Sequence, residues 1–327
     1  MAILSLTLFL LLSGPQLTKQ YNIELQVEPV YTTDHPFVLI DKQERVFFLD
    51  YWAHRIRCLN PNGEIAFDIG RPGNGPGEHF KPSSACFLEK ETILAVWYAD
   101  CSVQLFSTSD GTFLRQWSPY FSGIGIVQWG DRHILASSSI KIIIGNWEGE
   151  IVESFPMPDL IGPNNPTSPT SRTVSCCVIP NTSFYFAEGA FPEILVGHKG
   201  QQELSTWALL TPTHYKEPPR ARLDSRFYFN REKVEAYFDS FTQIDRLGML
   251  RGHFLAVNWR LPSPYPFSLD IYRLAGRELV LRDFRPPGPL VATVGDKLYF
   301  ITLSEGLDND SADRHLLHVY QIVEESL

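Results

Sequence analysis

Positive charge is in the minority in this chain: 28 Lys and Arg stand against 37 Asp and Glu, a formal net charge of −9. An acidic surface repels a phosphate backbone, so general nucleic-acid binding is excluded, although a local basic patch is not. Cysteine is scarce as well, with only Cys58, Cys86, Cys101, Cys176 and Cys177. No two are spaced C-x-x-C, which removes zinc ribbons and thioredoxin-like redox chemistry. Their odd number leaves at least one thiol free in a monomer. They read as small buried hydrophobes on strands, with a Cys86–Cys101 bridge as the alternative. Long apolar runs are missing after the N-terminus. Leu4–Leu12 has the length of a signal-peptide core and is too short to span a bilayer as a helix. It lacks a basic n-region and an A-x-A site, and a mis-assigned start or a buried first strand is the alternative. The expectation is an exported protein, periplasmic or extracellular, with residues 1–20 as signal or apolar segment and no integral membrane domain.

Catalytic strings are absent too. There is no G-x-S-x-G elbow, no H-E-x-x-H and no Walker loop, so no catalytic residue is assigned. "DNDSAD", Asp308–Asp313, resembles the start of a calcium loop. An EF-hand starting there would place Ala312 at a ligand position and Val319 where the bidentate Glu belongs. It reads as a solvated acidic loop, and no metal ligand is assigned.

What the chain has is strand-forming sequence, repeated. It is 44% hydrophobic and 13% aromatic, which excludes disorder for the whole. Its 327 residues suggest about two domains by length, but all-β propellers and barrels exceed that as one domain. Arg45–Gly70 and Thr92–Trp117 each read strand, polar turn, strand, N-G or D-G turn, strand. Asn62-Gly63 and Asp110-Gly111 are hairpin signals whose two central residues both call for positive φ. The unit recurs over His133–Phe155, Ser183–Leu209, Phe254–Phe284 and Lys297–Val323. Each copy follows a further apolar strand: Phe37–Ile40, Ser83–Phe87, Ile124–Trp129, Val174–Ile179, Ile244–Leu250 and Leu290–Val294. Six units of about four short strands are the propeller pattern. The sixth is a strand short, and the alternating segment Tyr21–Val30 supplies it, closing the ring and covering an edge. The prediction is an all-β six-bladed β-propeller of four-stranded antiparallel blades, one domain over residues 21–327, closed by its N-terminal strand.

The stretch "GRPGNGPGEHFKP", Gly70–Pro82, offers two readings, phosphate cradle or inter-blade connection. It has no G-K-S/T, no G-x-G-x-x-G and no amphipathic helix after it, which disfavours phosphate. Asp50, His54-Arg55-Ile56, Asn62-Gly63, Gly70, Gly75-Pro76-Gly77-Glu78 and Phe80 together resemble the NHL-type repeat. More closely they resemble the exported bacterial six-bladed β-propeller proteins, in which G-x-G-P-G-E-F-x-x-P joins one blade to the next. This chain departs by inserting His79 between Glu78 and Phe80. The resemblance implies a connection, with Phe80 anchored under the next blade. It also implies that Asp50, like Asp100 in the next unit, orders a turn.

Trp97, Trp117, Trp129 and Trp207 read as blade packing. Arg231–Phe241 has helical spacing, with Val234, Tyr237, Phe238 and Phe241 on one side. The long excursions, Gly70–Pro82, Pro156–Thr173, Thr211–Asp239, Pro262–Pro266 and Ser304–Arg314, all fall on the face opposite the tight turns. Long loops in compact domains concentrate function, so that face is the expected site. His214–Lys233 is locally basic. Its arginines either clamp the segment down or bind an acidic ligand. Ligand-binding expectations fall on Tyr51, His54, Arg55, Arg71, His79, Glu188, Arg222, Arg226, Arg231 and Arg260. The function read from this is an exported binding module for a peptide, glycan or small anion, monomeric, with a protein, peptide or glycan partner and no cofactor. The alternative is a metal-dependent lyase or hydrolase holding calcium or another divalent ion in the central channel. His54, His79 and Glu188 are its candidate residues.

Overall fold

Short runs rich in Val, Ile, Leu and aromatic residues, broken by Gly, Asn and Asp, form strands because pleated, half-buried surfaces favour such side chains. The computed structural model describes residues 15–27, 37–51, 53–98, 100, 102–118, 125–137, 141–146, 148–156, 174–188, 191–218, 231–263, 266–304 and 314–323. It holds six four-stranded antiparallel sheets, the predicted six-bladed propeller. The first blade runs β2 (Phe37–Ile40), β3 (Val46–Asp50), β4 (Arg55–Leu59), β5 (Ile65–Ile69). A short parallel pair, β6 (Arg71–Pro72) and β7 (Glu78–His79), lies in the connection that follows. The second blade is β8 (Pro82–Leu88), β9 (Ile93–Tyr98), β10 (Val103–Ser107), β11 (Phe113–Trp117). The third is β12 (Gly125–Gly130), β13 (His133–Ser137), β14 (Lys141–Asn146), β15 (Ile151–Pro156). The fourth is β16 (Val174–Ile179), β17 (Ser183–Glu188), β18 (Glu193–His198), β19 (Ser205–Ala208). Helix α1 (Arg231–Phe238) precedes the fifth blade, β20 (Gln243–Leu250), β21 (Phe254–Arg260), β22 (Phe267–Arg273), β23 (Glu278–Phe284). The sixth joins β24 (Leu290–Val294), β25 (Lys297–Ser304) and β26 (Arg314–Val323) to β1 (Gln16–Leu25).

The closing strand is therefore N-terminal, as expected, but it starts at Gln16 rather than Tyr21. Residues 16–20 belong to the propeller; residues 28–30 of the expected strand, and Leu4–Leu12, lie outside the described residues. Closure is fastened by side chains as well as by the ladder. Glu44 of the first blade accepts from Tyr21 Oη on β1 and from Lys297 Nζ on β25, each at 2.5 Å. The end of β1 also sits on the tight turn between β4 and β5, where Gln26 N donates to Gly63 O at 2.9 Å.

That turn differs from the expectation. Gly63 and Gly111 have φ of +87° and +73°, but Asn62 and Asp110 do not share the positive φ. Each instead accepts a hydrogen bond from the backbone two residues on, Glu64 N at 3.2 Å and Thr112 N at 3.0 Å. The ladder slips by a residue beside each turn. These are bulged turns with one left-handed glycine, not primed two-residue hairpins.

The core is a ring of apolar seams, one between each pair of neighbouring blades. Phe47, Leu49, Ile56, Phe87, Leu94 and Phe106 fill the first of them, between the first and second blades. Val38, Phe48, Tyr299, Ile301 and Leu317 fill the seam between first and last, into which Ile23 and Leu25 of β1 also pack. Burying such a side chain contributes roughly 1.5–3 kcal/mol, so the seams hold the blades together. Trp97, Trp129 and Trp207 are buried in them, and Trp117 packs alongside. Cys58, Cys86 and Cys177 are buried free thiols and Cys176 is half-buried; Cys101 lies outside the described residues. Adjacent Cys176 and Cys177 pack into the seams on opposite sides of β16, as strand alternation requires. Among the described residues no helix is long and apolar enough to cross a membrane.

Candidate functional site

The connection Gly70–Pro82 is built around an anion, and that anion is its own. The Glu78 carboxylate accepts from Gly75 N at 2.9 Å through one oxygen and pairs with Arg71 through the other at 2.7 Å. The Gly75 amide, and then Arg71, hold its pKa below the usual carboxylate range. A Cβ at Gly73 would stand 2.2 Å from the same carboxylate. The Gly75 amide that an incoming anion could use is already taken by Glu78. Arg71, expected to bind ligand, is the partner of that carboxylate.

His79, also expected to bind ligand, is a correction. It is fully buried, not exposed to a ligand. Its Nε2 lies 2.5 Å from Ile69 O and must donate to it, so Nδ1 accepts from the Tyr98 hydroxyl. Burial pushes its pKa down to about 4. With both nitrogens in use and no accessible surface, the ring offers a metal no lone pair. His79, inserted between Glu78 and Phe80, has taken the anchoring place expected of Phe80, packed on Tyr98 and Phe106 of the second blade. Gly70, at φ +60°, gives the ring room, since a Cβ there would stand 2.6 Å from Nε2.

Phe80 instead is 44% exposed and stacks on His54, ring centres 5.1 Å apart. His54 Nδ1 accepts from Lys81 N at 3.0 Å. Lys81 Nζ lies over the Tyr51 ring at 5.8 Å and the Phe80 ring at 5.4 Å. Two predicted residues, Tyr51 and His54, thus meet on the long-loop face together with two that were not predicted as ligand residues, Phe80 and Lys81. Asp50 orders this turn as expected, accepting from Ala53 N at 2.8 Å, and Asp100 does the same for Ser102 N at 2.9 Å. Arg55 lies opposite Asp50 in the β3–β4 ladder. Arg260 is tied to Asp239 at 2.9 Å, at the C-terminal side of α1. Phe238 and Phe241 pack with Phe191 and Tyr237, so the helix region serves its own chain. Arg222 and Arg226 lie outside the described residues. Glu188 ends β17 and Arg231 opens α1, and the side chains of both lie outside the description. Among the described residues no three His, Cys, Asp or Glu side chains gather in a way that could hold a metal ion.

A concavity occupies the central channel. It has a volume of about 600 Å³ and is lined by residues of the innermost strand of every blade: β2, β8, β12, β16, β20 and β24. Each of these strands starts on the long-loop face, where the connections deliver it. Most of the wall is apolar, including Leu39, Val127, Met249 and Ala292. The polar groups near the long-loop end mostly stitch one blade to the next. Ser84 Oγ accepts from Ile126 N at 3.1 Å, and Ser175 Oγ accepts from Leu247 N at 2.8 Å. The ladders bulge here as well, at Ser83, Asp245 and Val291. Bulges re-aim side chains and are enriched beside functional sites.

No protein-family model matches the chain, and no curated protein matches it. Solved structures do. A candidate exported protein from Bacteroides fragilis NCTC 9343 aligns over 93% of this chain and 94% of its own, at a TM-score of 0.62 and 13% identity. A member of the DUF4221 family from Bacteroides vulgatus aligns over 96% and 99%, at a TM-score of 0.62 and 10% identity. The likeness is one of fold. It supports the six-bladed propeller and leaves the NHL-type detail to the motif alone.

The residue that the sequence did not single out is Arg246, on β20 in the channel wall. It follows the bulged Asp245, whose Oδ2 accepts from Asn258 Nδ2 at 3.1 Å. Arg246 Nη1 donates to Val291 O on the next blade at 2.7 Å, and its guanidinium lies 5.6 Å from the centre of the Phe37 ring. Enclosure by protein pulls its pKa below the ordinary value, with Asp245 opposing. The available signal was an Asp-Arg pair inside a mainly apolar innermost strand, "QIDRLGML".

Proposed function

We propose that this protein is an exported, monomeric binding propeller that admits a peptide, glycan or small organic anion from its long-loop face. The observation that carries the reading is the channel of about 600 Å³ enclosed by all six innermost strands. Small-ligand sites are concavities of this order, mostly apolar, with a few polar groups that fix orientation. The fold shared with the Bacteroides fragilis candidate exported protein supports export. The Tyr51–His54–Phe80–Lys81 cluster supports entry from the long-loop face, because aromatic faces and a cation suit sugars and peptide side chains.

The test is a ligand screen read by thermal shift. Peptide, glycan and organic-acid sets are offered to the wild type and to Val127→Trp, which adds bulk at a half-buried position of the channel wall. The expected result is that one set raises the melting temperature of the wild type only. A set that stabilises both proteins equally, or no stabilising set, refutes binding in the channel.

A further inference from the structure

Arg246 is a cation in a predominantly apolar channel. A guanidinium carries five N–H donors in a planar fork. The Val291 carbonyl takes one of these groups, and the Phe37 ring covers part of the side chain. Among the described residues no carboxylate oxygen lies within 4.0 Å of the guanidinium; the nearby acid, Asp245, acts through its field and is bonded to Asn258. Arg246 is half-buried in the channel wall; a charge partly withdrawn from water without a direct counter-ion is costly, and the cost falls when an anion is brought to it. The other lining cation, Lys42, follows β2 at the opposite, tight-turn end of the channel. It is engaged there: its Nζ lies 3.6 Å from Glu91, whose carboxylate also accepts from Lys42 N.

We propose that the channel is a site for a small monocarboxylate with an apolar body, its carboxylate paired with the Arg246 fork and its body lying along Leu39, Val127 and Met249. This rests on the channel reading above and names the ligand class. One fork matches one planar carboxylate through two parallel hydrogen bonds. A phosphate dianion would ask for more donors and charge than one arginine between apolar walls supplies. A free organic acid and the C-terminus of a short apolar peptide present the same chemistry.

The probes are 4-phenylbutyrate and its neutral amide, and acetyl-Leu-Phe with a free or an amidated C-terminus. Binding is measured by calorimetry on the full chain, for the wild type, Arg246→Met, Arg246→Lys and Val127→Trp. At least one acid should bind the wild type about tenfold or more tightly than its amide, since charge-assisted pairs of this kind exceed neutral ones in strength. Arg246→Met should bring acid and amide together, Arg246→Lys should keep part of the preference, and Val127→Trp should weaken both. Which acid wins distinguishes a free acid from a peptide terminus. Equal binding of acid and amide to the wild type overturns the carboxylate assignment, and needs no variant to show it. Failure of both acids to bind overturns it too, while the wider screen decides the channel reading separately. An acid preference that survives Arg246→Met assigns the carboxylate elsewhere. Undiminished binding to Val127→Trp refutes the channel itself.

Discussion

His79 makes the stability of this protein depend on pH over a defined window. In the unfolded chain its imidazole titrates near 6.5; in the folded chain burial holds it at about 4. Between those values the unfolded chain takes up a proton that the folded chain refuses, so falling pH favours unfolding. The stabilisation is fully present above about pH 6.5 and is lost as pH falls toward 4, a total of about 3 kcal/mol at about 1.4 kcal/mol per pKa unit. The geometry explains the refusal. Nε2 already donates to Ile69 O, and a second proton on Nδ1 would displace the hydrogen of the Tyr98 hydroxyl. His79→Gln is the matched control, because a side-chain amide can also donate at one end and accept at the other without titrating. Urea unfolding at intervals from pH 7.5 to 4 should show the wild type losing about 3 kcal/mol more than the variant across that range. His315 and His318 are also lowered by burial and pull the same way. The difference between the two proteins removes their contribution and that of the carboxylates. Parallel loss in wild type and variant would refute the buried, neutral imidazole.

Gly63→Ala should cost at least about 1 kcal/mol in urea unfolding, because an added Cβ would stand 1.9 Å from the Glu24 carbonyl oxygen at a φ of +87°; unchanged stability would place β1 elsewhere. Deleting residues 16–25 should lower the melting temperature by several degrees, since a whole ladder against β26 is lost. Gly77→Val should destabilise without altering any phosphate titration, because the glycine has a φ of +77° and a Cβ there would sit 3.2 Å from Phe113 Cβ; a changed titration with intact stability would restore the phosphate reading. Arg246→Met should leave the ligand-free protein within about 1 kcal/mol of the wild type or more stable, because the lost bond to Val291 is offset by relief of an enclosed charge. A loss of more than about 3 kcal/mol in the same urea assay would make Arg246 a structural clamp.

Strands and turns were legible because their signals are local. Alternation over four to eight residues and the Gly that ends each tight turn depend on neighbours in sequence, and the seams follow once the ring is counted out. The turn type was misread because a one-residue bulge in the ladder, at Cys58/Leu59, leaves no mark in "NPNG" itself. His79 was misread for a different reason. In sequence it sits among glycines like a ligand residue, and its burial depends on Tyr98 and Ile69, which the fold brings to it from two other strands. Arg246 was read as part of a strand. Its place in the channel follows from ring closure and from the bulge at Asp245, both tertiary facts.

The sixth blade draws its outer strand from residues 16–25 and the other three from residues 290–323. Gln16 pairs with Val323, and Leu25 with His315, so β1 has no ladder partner among the described strands until β26 is made. Contacts of such long sequence separation form late and slow folding. During synthesis the emerging chain can assemble individual blades but cannot lock the ring. The step that makes the structure hard to pull apart is therefore postponed until both β1 and β26 have been made. The order of strands around the ring thus also schedules when the protein becomes resistant to unfolding.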